Sequence, residues 1–152
     1  MYRKDFFAGW GDMDFNSHMR NTAFLDRAAD VRMLFFSEHG FPMREFQHRR
    51  LGPVVMKDEV EYFREVALLQ AFQVSLALAG MAPDGSRFRL RNDFHHADHQ
   101  LVARVSSTGG WLDLKARKLI QPPPELLAAL SSLPRTEDFC ELPSSWKGTP
   151  SS

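Results

Sequence analysis

The chain has 152 residues, 43% hydrophobic and 25% charged, with 19 basic residues balancing 19 acidic ones. That length and balance predict one globular domain with a real core, and they exclude broad nucleic-acid affinity and electrostatic attachment to a membrane surface. The single cysteine excludes an intramolecular disulfide framework and a cysteine-based zinc site. The first residues hold no apolar run of signal-peptide length, and no segment approaches the roughly 18–20 apolar residues of a membrane span, so the expectation is a cytoplasmic protein.

Tyr2 to Gly9 is short and aromatic-rich and reads as a first strand. A polar loop follows. From Asn21 to His39 the apolar positions keep helical spacing, with Phe24, Ala28, Val31 and Phe35 on one face and Gly40 as a stop. This wide stripe suits a long helix lying against a sheet. "FPMREFQHRRLGPVV" is a mixed connector. Val54 to Val66 is a strand candidate, and Phe72, Val74, Leu76 and Leu78 alternate cleanly with smaller or polar residues. "MAPDGS" and "HHADHQ" are turns flanking another alternating run, "RFRLRNDF". "LVARVSSTGGWLDLKARKLI" reads as one final long strand, with a bulge at Gly109-Gly110 where the apolar phase slips. "PPPELLAALSSL" reads as a short helix, and the polar, proline-dotted tail from Pro134 as loose or packed across a partner. Strand, long helix, then four antiparallel strands leaves the sheet incompletely covered, so pairing with a second copy is expected.

The chemistry concentrates in "GDMDFNSHMRN", Gly11 to Asn21. A helix cap needs one polar side chain, and Asn21 would serve; Asp14, Asn16 and His18 together exceed that need. A carboxylate beside an amide, an imidazole and the free N–H groups of a helix start is a plausible acyl-hydrolysis site. Asp12 reads as support for the loop. His95, His96 and His99 form a hairpin tip rather than a chelate, since adjacent residues of a strand point to opposite faces, and no metal site is expected. Arg49 and its neighbours, the alternating Arg87, Arg89 and Arg91, and Lys115 to Lys118 are basic clusters that could meet a nucleotide phosphate. Phe24, Phe35, Phe36 and Met56 are core residues first and acyl-pocket candidates second.

"GDMDFNSHMRNTAFLDRA" resembles the corresponding stretch of the hotdog-fold thioesterases, the group that includes 4-hydroxybenzoyl-CoA thioesterase, and is still more similar to that of plant acyl-ACP thioesterases. "EYFREV" resembles a second family motif and places Glu65 on its Glu position; "GWLDLKARKLIQPPPELLAAL" resembles the last strand and helix of bacterial members. The resemblance implies an α+β hotdog domain over residues 1–133, a long helix wrapped by an antiparallel sheet, followed by a polar tail, 134–152. It implies a homodimer or homotetramer with sites between subunits, needing no cofactor. It implies that Asp14 acts as nucleophile or general base, that Asn16 and His18 assist, and that main-chain N–H groups near Asn21, with Glu65, contact the substrate. The expected substrate is an acyl-CoA. An acyl-ACP thioesterase, a hotdog hydratase and a non-catalytic acyl-binding oligomer are the rival readings.

Overall fold

The computed structural model describes residues 1–146. In chain order the elements are β1 (Tyr2–Phe7), α1 (Asn21–Glu38), α2 (Met43–Arg49), β2 (Leu51–Tyr62), β3 (Ala71–Met81), β4 (Arg87–His96), β5 (Leu101–Asp113), β6 (Lys118–Ile120), α3 (Pro124–Ser131) and β7 (Arg135–Glu141). The main path of the sheet runs β1-β3-β4-β5-β2, antiparallel throughout, with β6 added to β5 and β7 added in parallel to β3. The long helix lies against this sheet, as its sequence pattern requires. Ala23, Phe24, Ala28, Val31, Phe35 and Phe36 turn inward and are buried.

The sheet meets that face with its own alternation. Phe72, Val74, Leu76 and Leu78 of β3, and Phe88, Leu90 and Phe94 of β4, are buried together with Asn92 on the same face, while the alternate residues are less so. Each fully buried Phe or Leu contributes about 1.5–3 kcal/mol. Trp111 closes the core at the far end of α1, edge-on to Phe36, and its indole N–H donates to Gly85 C=O at 3.0 Å.

Four local expectations are corrected. The connector after Gly40 contains α2, too short for periodicity to reveal, started at Pro42 and stopped by Arg50 in the left-handed region (φ 53°). The strand expected over Val54–Val66 begins at Leu51 and ends at Tyr62. The last long strand is two: Asp113 Oδ1 accepts the N–H groups of Lys115 and Ala116, both at 2.9 Å, and turns the chain back into β6. The segment after Pro134 is not a loose tail as far as Glu141, because β7 pairs with β3 at Leu78 and again at Gly80–Met81. Residues 147–152 of the expected tail lie outside the described residues.

The phase slip at Gly109-Gly110 marks a real irregularity, carried by the opposite strand. The register between β2 and β5 jumps from Val55–Gly109 to Lys57–Thr108, leaving Met56 as the extra residue. A Cβ on Gly109 would sit 2.3 Å from Val54 O, so only glycine fits there.

Candidate active site

The polar loop between β1 and α1 is built around two aspartates with different duties. Asp12 is nearly buried. Its carboxylate accepts two bonds from Arg27 Nη2, each 3.0 Å, and one from Gly9 N–H at 2.9 Å, while its carbonyl accepts Arg20 N–H at 2.8 Å. Every strong acceptor of Asp12 is thus engaged in fixing the loop to α1. Arg20 is held too, through Gly11 C=O, Thr22 Oγ1 and Asp26.

Asp14 sits one turn further along and is exposed. Met13 and Met19 pair as an isolated bridge, Asp14 N–H donates to His18 C=O at 2.7 Å, and Ser17 turns the chain at φ 64°. Within this tight loop Asp14 Oδ1 accepts the main-chain N–H groups of Asn16 (2.9 Å) and His18 (3.1 Å). Two donors fix the rotation of the carboxylate. Oδ2 has no partner among the described residues. The side chain lines a cavity of about 370 Å³, together with Trp10, Met13, Phe15, Ser17 and Leu68.

The other expected residues fall into two groups. His18 and Glu65 meet: Nε2 of His18 lies 3.0 Å from Glu65 Oε2. The contact is placed by a bridge between His18 and Ala67 and by Met19 N–H donating to Val66 C=O at 2.8 Å. Glu65 therefore lies on the connector after β2, next to the imidazole. Asn16 contributes its main-chain N–H to Asp14, and its exposed side chain has no hydrogen bond among the described residues. Asn21 is not the cap. Arg20 occupies that position, held extended (φ −70°, ψ 154°) by its bond to Asp12 C=O, and Asn21 is the first helical residue. The first N–H groups of a helix lack intrahelical acceptors, so Asn21 and Thr22 present donors at the end of the loop that carries Asp14.

Sequence reasoning missed Tyr62, whose hydroxyl donates to Asn21 C=O at 3.4 Å and brings the end of β2 to the start of α1. It also left Arg32 unread. That arginine falls four residues after Ala28 and four before Phe36, on the helix's apolar face, and a charge in such a position is a signal in itself. The basic clusters separate by their partners. Arg87 bonds Ser145, Arg91 bonds Asp138 and Arg49 bonds Glu125, whereas Lys115, Arg117 and Lys118 make no ion pair among the described residues. Also among the described residues, no group of three or more His, Cys, Asp and Glu side chains is arranged to hold a metal ion. Among the described residues no helix is long and apolar enough to cross a membrane.

This combination of helix, sheet order and loop defines the hotdog class. The chain belongs to the thioesterase-like superfamily, whose family model matches residues 8–130. No curated protein matches the sequence. Among solved structures it is similar to a hypothetical protein from Staphylococcus aureus determined in complex with CoA (18% identity, TM-score 0.79, covering 86% of this chain and 81% of that one). It is also similar to the 1,4-dihydroxy-2-naphthoyl-CoA thioesterase of Synechocystis (16%, TM-score 0.78, 87% and 96%) and to a gentisyl-coenzyme A thioesterase (14%, TM-score 0.75, 84% and 98%). At these identities the likeness is one of fold.

Proposed function

We propose that the protein hydrolyses an acyl-CoA thioester to a carboxylic acid and free CoA, with Asp14 as the reacting carboxylate. The observation that carries this reading is the asymmetry of that side chain. One oxygen is fastened by two main-chain donors, the other has no partner among the described residues, and the side chain lines a cavity of the loop that leads into α1. Its neighbour Asp12 has both oxygens tied to Arg27 and cannot take the role.

The chemistry follows from this arrangement. Oδ2 attacks the thioester carbon, or takes a proton from a water that does. The carbonyl oxygen becomes an oxyanion, and the N–H groups of Asn21 and Thr22, which lack intrahelical acceptors, stabilise it in this reading. Collapse of the tetrahedral species breaks the C–S bond and expels a thiolate, a good leaving group that requires no Ser-His-Asp triad; on the nucleophilic route this leaves a mixed anhydride on Asp14, which water then hydrolyses to release the acid and restore the carboxylate. His18, steadied by Glu65, lies on the same loop and can supply the proton the thiolate takes up. The Asn16 side chain orients the substrate or the water. Trp10, Phe15 and Leu68 form an apolar border for the acyl-pantetheine arm.

The working unit in this reading is a homodimer or a pair of dimers. β2 is a twelve-residue edge strand with β5 on one side, and Val55, Met56, Tyr62 and Phe63 around it are exposed. Such an edge is a template for a second copy. A reducing cytoplasm suits the exposed Cys140.

The direct test is thiol release from a panel of acyl-CoAs and from the same acyl groups on acyl-carrier protein. Turnover of the CoA series is expected. Turnover confined to the carrier-protein series would favour the acyl-ACP alternative, and binding without turnover would make the protein an acyl-binding module.

A further inference from the structure

Arg32 stands in the middle of α1 and turns toward the sheet. Its Nη1 donates to Ser107 Oγ at 3.1 Å and to Asn92 Oδ1 at 3.4 Å. Both partners are completely buried. The Ser107 hydroxyl gives its one proton to Asp58 Oδ1 at 2.5 Å, so toward Arg32 it can only accept. The Asn92 amide nitrogen donates to Ser75 C=O at 3.1 Å, which leaves its oxygen for the arginine. Three strands, β2, β4 and β5, therefore converge on one edge of the guanidinium. Burial weakens its hold on the proton, and the nearby Asp58 opposes that effect.

The other edge is open. Nε and Nη2 have no acceptor among the described residues, and neither is sealed away from access. Arg32 lines a cavity of about 150 Å³ whose other walls are apolar, among them Met33, Phe36, Val55, Phe88 and Leu90. The cavity lies between residues of α1 and β2, the same two elements that meet at the start of the helix, beside the candidate active site. At one end Tyr62 meets Asn21, and further on Asp58 reaches toward Arg32 through Ser107. Arg32 lies about 16 Å along the helix axis from Asn21.

We propose that Arg32 determines acyl specificity by donating a hydrogen bond to a neutral oxygen, hydroxyl or ketone, carried by the acyl group far from its thioester carbon. This rests on the thioesterase reading above. Apolar walls with one aimed polar group are what a ligand pocket needs to accept a hydrocarbon and fix its orientation. A carboxylate is the poorer match, because Asp58 already balances the guanidinium charge within the same network. The geometry therefore selects an oxygenated acyl chain over a plain alkanoyl chain and over a dicarboxylic one.

The experiment compares wild-type kcat/KM on acyl-CoAs of equal carbon number, plain or bearing one hydroxyl or keto group at successive positions. A distal oxygen should raise kcat/KM about tenfold or more, the range of a hydrogen bond to a charged donor. Arg32→Leu should collapse that ratio toward one, with Arg32→Lys as the fallback if the leucine variant does not fold. Binding of the intact thioesters to Asp14→Asn protein, with and without the Arg32 substitution, reads the same preference independently of turnover. A wild-type enzyme indifferent to oxygen at every position would overturn the proposal. So would a folded Arg32→Leu protein that keeps the ratio and loses all substrates equally, since that is a purely structural arginine. Full turnover by Asp14→Asn would instead overturn the catalytic reading and leave the binding preference to be judged separately.

Discussion

Asp14 and Asp12 lie two residues apart and are expected to respond in opposite ways. Asp14→Asn keeps the shape of the loop, since an amide oxygen can still accept from Asn16 and His18, but it removes the anion. Hydrolysis should fall about 100-fold or more while the melting temperature barely moves. Asp12→Asn removes the more buried of the two carboxylates that pair with Arg27, leaving only the exposed Asp30, so the loss should appear in stability, at about 1–3 kcal/mol by denaturant titration. His18→Ala should cost activity on a scale comparable to Asp14→Asn or somewhat smaller. Glu65→Gln should cost much less, at most about fivefold in kcat, because the His18–Glu65 pair is exposed to solvent on both sides. Activity should survive EDTA, and its loss with recovery on adding zinc would redirect attention to His95, His96 and His99. The cluster of Asp14, Asn16 and His18 was legible because its members are neighbours in sequence. The meeting of Glu65 with His18 was not, since it depends on how the connector after β2 folds back. Arg32 was hidden for a related reason: the acceptors that allow a charge on the apolar face, Asn92 and Ser107, come from strands far along the chain.

Among the elements, those with sustained periodicity were readable. α1 and the alternating β3 and β4 occupy the expected stretches, because long amphipathic patterns leave few ways to bury their apolar face. β7 escaped because "RTEDFCE" has no clean alternation, and its burial is correspondingly shallow. What holds it is specific chemistry. Arg91 of β4 reaches across β3, where it is opposite the small Ala77, and makes two bonds of 2.9 Å to the Asp138 carboxylate. Those bonds are the main reason Asp138 ionises well below the usual carboxylate range. A depressed pKa supports the folded arrangement above the unfolded carboxylate value, near 3.9, and that support is lost as pH falls through the folded value. Amides of β7 should therefore lose protection in hydrogen exchange on acidification while β4 and β5 keep theirs, and Asp138→Asn should reproduce the loss at neutral pH. An unchanged β7 in that variant would mean that main-chain pairing alone holds the strand.

At the scale of the whole molecule, assembly is the decisive prediction. The exposed apolar residues around β2 lead us to expect a light-scattering mass of two or four chains, an interface above roughly 1,000 Å², and specific activity that falls on dilution below the dissociation constant. A single-chain mass at full specific activity would refute it. One feature of the monomer also governs how the chain reaches this state. β3 receives β1 on part of one edge and β7 further along, so residues from the two extremes of the described chain meet on a single central strand. Each pairing closes a long stretch of chain, from Tyr2 to Leu76 on one side and from Leu78 to Arg135 on the other, and closing such large loops is entropically expensive before any contact rewards it. The antiparallel run β3-β4-β5, joined by short turns, can form first. The outer strands β1 and β7 then dock late, β7 only after all the other elements have been synthesised. Refolding on a millisecond-to-second scale is the expected consequence, with mutations in β7 accelerating unfolding far more than they slow folding.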